Sequence, residues 1–247
     1  MHLTVVGAGP AYTDRHDASG AAYVVSHGGT TILLDLGHGS FARLFRYVDP
    51  TRLDAIVVSH LHPDHFVDLV PLRHYLRYEF HPSKRARVLG PAGIADRLDA
   101  LHAEPGFSAE ALDTEALCEG TQRIGSLTLE SRLVAHTDES YAFRVAAGDG
   151  PGLVYSGDCG RADDLLPLLR PGDTLLTEIA FGAGPVPPGV LHLDGPAVGR
   201  VAAAGGVACV LLTHVLGTVD LDAAVASVAA ECDAPTRFVW PGDELDV

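Results

Sequence analysis

The stretch Ser59-His60-Leu61-His62-Pro63-Asp64-His65 places three imidazoles and one carboxylate within six residues. Directly before it, Ala55-Ile56-Val57-Val58 is an apolar run that predicts a buried strand. After it, Leu69, Leu72 and Leu76 recur at helical spacing. The pattern therefore predicts a turn between a strand and a helix. Because imidazole nitrogens and carboxylate oxygens are ligands of zinc and its neighbouring divalent metals, this turn is a candidate metal site.

Composition limits the kinds of partner that we expect. The chain has 247 residues, of which 47% are hydrophobic, so it can bury a large core. Its formal net charge of −15 would repel a polyanion such as tRNA. One basic cluster runs against this trend, with Lys84, Arg85 and Arg87 and, more distantly, Arg73 and Arg77. We interpret it as solvated charges around a helix end, and we do not expect a nucleic acid as the partner.

The cysteines and the apolar runs predict a cytoplasmic protein. Cys118, Cys159, Cys209 and Cys232 are scattered and form no Cys-x-x-Cys pair, which favours reduced thiols over a disulfide framework. No signal-peptide pattern is visible, and no apolar run is long enough to cross a bilayer. We interpret Cys159 as a small buried residue, neither a ligand nor a nucleophile.

A recurring feature of the chain is an apolar strand that ends in a ligand-type residue. The first such strand leads to His60, and later ones lead to His136, Asp158 and His214. No linker, repeat or low-complexity tract interrupts this pattern. We therefore predict an α/β fold with one domain over residues 1–247, an αββα sandwich in which two mixed β-sheets lie face to face with helices outside.

Other elements follow from local patterns, which are weakest in residues 80–130. Strands are predicted at 3–6, 21–26, 31–35, 87–89, 126–133, 141–146, 174–179 and 238–240, and helices at 40–47, 93–102, 164–169, 195–204 and 223–231. Asp35 has two interpretations, as a partner of a ligand histidine or as the cap of the helix near Ser40. The Gly/Pro-rich segment 182–189 is a candidate lid.

The His-x-His-x-Asp-His pattern resembles that of the metallo-β-lactamase superfamily, and the resemblance extends along the chain to His214. It implies two divalent metal ions that activate water for hydrolysis, with zinc favoured and manganese or iron as alternatives. Carried over to this sequence, the ligands of one ion would be His60, His62 and His136, those of the other Asp64, His65 and His214, with Asp158 as the bridge. Asp64 also counts among the expected catalytic residues.

Within the superfamily, the chain is most similar to the ribonuclease Z-like branch. The resemblance rests on Thr177-Glu178-Ile179-Ala180-Phe181, on His192, and on Leu211-Leu212-Thr213-His214. It implies a Glu178–His192 pair beside the metals, and a histidine kept basic by a carboxylate can protonate a departing alkoxide.

One feature of that branch is missing from this sequence. Ribonuclease Z carries a tRNA-binding arm between the third histidine and the bridging aspartate, whereas here only residues 137–157 lie between His136 and Asp158. Relatives without the arm resemble phosphodiesterases of small nucleotides, including ones that open cyclic AMP. We therefore predict a phosphodiesterase that acts on small (cyclic) nucleotides.

Three other functions remain open at this point. The same fold could hydrolyse a thioester, a lactone or another carbonyl ester. It could process tRNA 3′ ends, or it could be a non-catalytic binding protein. The sequence leaves both a monomer and a homodimer open.

Overall fold

Two β-sheets of seven strands each form the centre of the molecule in a computed structural model that describes residues 1–15 and 18–247. From edge to edge, the first sheet contains the strands 244–246, 2–7, 22–27, 30–34, 55–57, 86–90 and 112–116, and the second contains 236–238, 209–213, 174–178, 152–155, 141–146, 127–133 and 120–124. Both sheets are mixed, because each contains parallel as well as antiparallel strand pairs.

Each half of the chain builds one sheet, apart from the last strand. The strands of the first half are β1 (His2–Gly7), β2 (Ala22–His27), β3 (Thr30–Leu34), β4 (Ala55–Val57), β5 (Ala86–Gly90) and β6 (Leu112–Ala116). Those that follow are β7 (Gly120–Ile124), β8 (Leu127–Leu133), β9 (Tyr141–Ala146), β10 (Gly152–Tyr155), β11 (Thr174–Glu178), β12 (Cys209–Thr213), β13 (Thr236–Phe238) and β14 (Glu244–Asp246). The α-helices are α1 (Phe41–Leu44), α2 (Pro63–Phe66), α3 (Leu69–Tyr78), α4 (Ile94–His102), α5 (Gly195–Gly205) and α6 (Leu221–Ala229). Glu244–Asp246 pairs with β1 and so returns the chain end to the first sheet.

Three layers of apolar side chains hold these elements together. The central layer lies between the sheets and includes Tyr23 and Val57 of the first sheet and Phe143 and Leu211 of the second. A second layer packs α1, α3 and α4 on the outer face of the first sheet, and a third packs α5 and α6 on the outer face of the second. Alternate residues of each strand therefore face opposite layers. The predicted αββα sandwich is confirmed.

The differences from the sequence prediction lie at the sheet edges and in short helices. β6, β7 and β14 were not predicted, since they are largely exposed and polar. The helix predicted at 164–169 is a 3₁₀ turn, Ala162–Leu165. The helix predicted at 40–47 is only the four residues of α1, and the strand predicted at 238–240 lies earlier, as β13.

The basic cluster is paired with carboxylates. Arg85 contacts Asp113 at 2.6 Å, and Arg87 contacts Glu115 at 2.8 Å. Arg73 was expected in solvent, but it is buried and its guanidinium lies 2.6 Å from Glu110. These arginines are therefore partly neutralised rather than arranged as a free cationic surface.

The described residues contain no helix that is both long and apolar enough to cross a membrane. All four cysteines are free, as the sequence predicted, and Cys159 is buried.

Candidate metal centre

The predicted ligand residues all come from loops at one rim of the sandwich. His60, His62, Asp64 and His65 follow β4, the last two on the single helical turn of α2. The remaining predicted ligands follow β8, β10 and β12 of the second sheet, and they are His136, Asp158 and His214. His60, His136 and Asp158 each lie three residues beyond the end of their strand. Both sheets therefore contribute possible metal ligands to one group of seven side chains, which we call the donor cluster.

One half of this cluster is formed by three histidines and one carboxylate oxygen. His62 Nδ1 lies 3.1 Å from His60 Nε2 and 3.0 Å from His136 Nε2. Asp158 Oδ2 lies 3.7 Å from His60 Nε2 and 3.5 Å from His136 Nε2. These four residues offer ligand atoms that all lie within 4.8 Å of one another, and they are one of the groups able to hold a metal ion.

The other half is formed around the second oxygen of Asp158. Its Oδ1 lies 3.3 Å from both His65 Nε2 and His214 Nε2. Asp64 Oδ2 lies 3.1 Å from His214 Nε2 and 3.6 Å from His65 Nε2. Asp158 thus presents one oxygen to each half, which is the arrangement of a bridging carboxylate.

The donor atoms are spaced as metal ligands would be. Four ligands about 2.0–2.1 Å from a tetrahedral zinc ion lie about 3.4 Å from one another. The distances above scatter around that value, and Asp158 Oδ1 is buried with no hydrogen-bond donor among the described residues. A buried, unpartnered carboxylate oxygen is costly unless a cation or another donor faces it. The residues therefore fit a pair of divalent ions.

Hydrogen bonds from neighbouring groups fix the orientation of three of the imidazoles. His65 Nδ1 donates to Asp35 Oδ2 at 2.7 Å, and His136 Nδ1 donates to the carbonyl of Leu191 at 2.7 Å. Ser59 Oγ lies 3.1 Å from His60 Nδ1. Each contact occupies the ring nitrogen that points away from the cluster. The lone pair of Nε2 is then left to face the cluster, where it could bind a metal.

Asp35 accepts several of the hydrogen bonds that position these histidines. Besides the His65 proton, it accepts the Ser59 backbone N–H at 2.7 Å, the Ser59 hydroxyl at 2.8 Å and the Tyr155 hydroxyl at 2.6 Å. It is fully buried and has a φ of 59°, a left-handed backbone that aspartate and asparagine tolerate better than most residues. The alternative, Asp35 as a helix cap, is wrong, because Asp68 accepts the backbone N–H of Phe41.

The pKa values of the histidines in the cluster are shifted in different directions by burial and by the neighbouring charges. Burial and the neighbouring His65 hold the pKa of His60 well below its usual value, and burial and His136 lower that of His62. Burial also acts to lower the pKa of His65, but the charges of Asp158 and Asp35 outweigh it and raise that pKa. Neutral imidazole is the form that binds a metal, so His60 and His62 are ready to do so at neutral pH.

Beside the donor cluster lies the predicted Glu178–His192 pair. Glu178 is buried at the end of β11, and its Oε1 accepts the His192 Nδ1 proton at 2.8 Å. The same carboxylate accepts the backbone N–H groups of Cys159 and Ala180, at 3.0 and 3.1 Å. The His192 ring is 4.8 Å from that of His136. His192 therefore has its Nδ1 anchored, and its ring lines the cavity next to the cluster, with no hydrogen bond from Nε2 to any described residue.

A cavity of about 440 Å³ opens onto these groups. His62, Asp64, Asp158, His192 and His214 form its polar end. Its other walls are mostly apolar and come largely from the loops after β1 and β11, among them Pro10, Tyr12, Phe181 and Val190. The cavity has the size and composition of a small-molecule site.

Sequence reasoning missed several of the residues that shape this site. Ser59 was quoted as part of the central stretch without a role, although its hydroxyl contacts Asp35 and His60. Tyr155 and Tyr12 were not considered. A polar residue directly before the first histidine was a usable signal for Ser59, whereas the position of Tyr12 depends on a loop without periodicity.

Comparison with known proteins identifies the family. The model of the "Beta-lactamase superfamily domain" matches residues 30–215, so the chain belongs to the β-lactamase superfamily. It is 33% identical over 254 residues to the uncharacterized protein Rv1339 of Mycobacterium tuberculosis, which covers 100% of this chain and 92% of that protein.

Two solved structures share the fold. The metallo-β-lactamase fold protein YhfI of Bacillus subtilis superposes with a TM-score of 0.88 at 22% identity, and covers 99% of both chains. The short form of human tRNase Z superposes with a TM-score of 0.73 at 18% identity, covering 100% of this chain and 99% of that one. The site and the family together define a metallo-hydrolase of the β-lactamase superfamily.

Proposed function

We propose that this protein is a phosphodiesterase that acts on small, in particular cyclic, nucleotides with two bound divalent ions, zinc being favoured. The observation that carries the proposal is the Glu178–His192 pair, whose 2.8 Å hydrogen bond lies beside the donor cluster. A phosphodiester releases a poorly stabilised alkoxide, which needs a proton. Residues 1–247 are proposed to act as one catalytic unit, with a small molecule as the partner.

The seven side chains would divide between the two ions as the geometry divides them. His60, His62 and His136 would hold one, Asp64, His65 and His214 the other, and Asp158 both. When bound, such a pair of ions lowers the pKa of a shared water and neutralises charge on the phosphoryl oxygens. Asp64 would serve catalysis through this ligation.

The chain's own residues supply the proton. Glu178 is fixed by two backbone N–H groups, so it can hold the His192 ring in one tautomer with Nδ1 protonated. Burial acts to lower the pKa of His192, but the hydrogen bond and the charge of Glu178 outweigh it and raise that pKa. A raised pKa increases the fraction of His192 that is protonated at a given pH, and its Nε2–H can then be given to the leaving oxygen.

Two observations argue against a tRNA substrate. β9 and β10 are joined by residues 147–151, so the chain between His136 and Asp158 consists of two adjacent strands and carries no arm. The basic cluster is paired with carboxylates, and the net charge is −15. A nuclease that neutralises many phosphates needs a cationic surface, which these pairs do not provide.

A panel of substrates tests the proposal. The metal-loaded enzyme would be assayed with cyclic AMP, bis(p-nitrophenyl) phosphate, an acyl thioester and a lactone. We expect kcat/KM to be highest for a phosphodiester. A higher value for the thioester or the lactone would overturn the proposal in favour of a carbonyl-ester hydrolase.

Two substitutions separate metal binding from proton transfer. Asp64→Ala should lose bound metal, whereas His192→Ala should keep its metal and lose about 10²- to 10⁴-fold in kcat. The exposed His27→Ala is the matched control and should change neither. A His192→Ala enzyme with the wild-type kcat would contradict the assigned role, and a wild type inactive on all four substrates would favour a binding protein.

A further inference from the structure

The mouth of the cavity exposes large apolar side chains. Tyr12 is 73% exposed, and Val190 is 37% exposed. Scattered apolar residues are ordinary on a protein surface, but a group of them at the rim of a site indicates contact with a ligand.

These side chains divide the cavity into two chemically different ends. The inner end holds the donor cluster and His192. The outer end is lined by the exposed Tyr12, on the loop after β1, and by Phe181, whose ring centroid is 6.2 Å from that of His192. A ligand that fills both ends has a charged reacting group inside and a flat or apolar body outside.

We propose that Tyr12 and Phe181 form a subsite on which a nucleobase of the substrate stacks. The inference rests on the proposed phosphodiesterase function and specifies its substrate class as a phosphodiester that carries a heterocyclic base. Stacking on aromatic rings is a common way for proteins to hold a base without reading its sequence.

The outer end suits a base better than a flexible acyl or alkyl chain. Tyrosine presents a large rigid surface and has only two side-chain torsions to immobilise. A long chain would lose many rotamers on binding and has no π system to stack on the aromatic rings. At about 440 Å³, the cavity also matches a mononucleotide-sized ligand rather than an extended strand.

Matched substrates and variants test the subsite. Steady-state kinetics of the metal-loaded enzyme would compare cyclic AMP with a cyclic ribose phosphate that lacks the base. For Tyr12→Ala, we expect KM for cyclic AMP to rise about 5- to 150-fold, while KM for the base-free substrate stays unchanged. Tyr12→Phe should restore the wild-type KM, and Phe181→Leu, which keeps the apolar volume, should raise KM for cyclic AMP alone.

Tyr78→Ala serves as the control, since Tyr78 is 58% exposed at the end of α3, outside the cavity lining. Metal content and the thermal midpoint show that each variant is folded. An equal effect of Tyr12→Ala on both substrates, or none on either, would overturn the subsite and leave the phosphodiesterase proposal in place. A wild type that prefers an alkyl phosphodiester to cyclic AMP would also overturn it, and a wild type that hydrolyses no phosphodiester would overturn both.

Discussion

Asp35→Asn is the substitution that best tests whether the residues behind the proposed metal ligands control metal binding. The change keeps the shape of the side chain and suits the left-handed backbone at φ 59°, so it alters only charge and hydrogen bonding. The wild-type carboxylate accepts four hydrogen bonds, from His65, Tyr155 and both the backbone and the hydroxyl of Ser59. An amide presents two N–H donors on one side and cannot accept all four.

Either orientation of the new amide has a cost. If its oxygen takes the Oδ2 position, its NH₂ group opposes the backbone N–H of Ser59, and a buried donor left unpaired costs about 1–3 kcal/mol of the free energy of unfolding. If its NH₂ group takes the Oδ2 position, His65 must accept through Nδ1, which moves its proton to Nε2. A protonated Nε2 cannot bind a metal, so the second ion loses a ligand.

The expected result is a weaker second ion. Changes to the partner of a ligand histidine typically cost about 10- to 100-fold in metal affinity. Zinc competition with a chromophoric chelator should therefore show one tight and one weakened equivalent in Asp35→Asn, with lower thermal stability. Asp54→Asn is the control, because Asp54 is exposed, accepts the backbone N–H of Thr31 and is not part of the donor cluster. Two equivalents bound by Asp35→Asn as tightly as by the control would refute the reasoning.

Other predictions follow from single contacts. Glu178→Gln removes the charge that keeps the pKa of His192 raised against its burial, so the falling alkaline limb of the kcat–pH profile should move to lower pH. Burial raises the pKa of the Cys159 thiol to about 12, so at pH 8 only about one molecule in 10⁴ carries the thiolate, and mass spectrometry should find Cys159 unmodified by iodoacetamide while the exposed Cys118 reacts. Arg73→Met should lower the free energy of unfolding in urea by about 1–3 kcal/mol, because it removes the donor to the buried Phe107 carbonyl, whereas Glu110 is 43% exposed and keeps its contact with Arg77.

These predictions have their own controls and contrary outcomes. Arg200→Met, at a residue whose side chain is 61% exposed, should change the free energy of unfolding by less than about 1 kcal/mol. An Arg73→Met protein of wild-type stability would show that the hydrogen bond from Arg73 to the Phe107 carbonyl contributes little. An unchanged alkaline limb in Glu178→Gln would remove His192 as the proton donor, and rapid alkylation of Cys159 in the folded state would show that its loop opens.

The sequence predicted most of the architecture because the buried strands carry continuous apolar runs. β4 and β12 are recognisable from Ala55–Val57 and Cys209–Thr213 alone, and the residues that follow them were correctly placed at strand ends. β6 escaped prediction because its residues alternate little and its pairing with β5 depends on contacts such as Arg87–Glu115, which join positions 28 residues apart.

The sequence predicted the proposed metal ligands of the site, but it did not predict Ser59 and Tyr155, which donate hydrogen bonds to Asp35 behind them. The inner residues were named because imidazoles and carboxylates at strand ends are chemically distinctive, and the structure brings them within reach of one another. The role of Tyr155 could not be predicted, because nothing in the neighbouring sequence distinguishes it from any other tyrosine of a buried strand. Its hydroxyl meets Asp35 across 120 positions of sequence, a contact that only the packing of the two sheets creates.

The division of donors between the two sheets has a consequence for the whole molecule. His65 follows a strand of the first sheet and His214 follows a strand of the second. Ions bound between them would therefore link the two sheets. Anything that binds the folded state alone adds to its stability by mass action, and a tightly held ion adds several kcal/mol. The supply of metal in a cell would then govern how long this protein survives as well as how fast it works, and starvation for the metal would mark it for proteolysis.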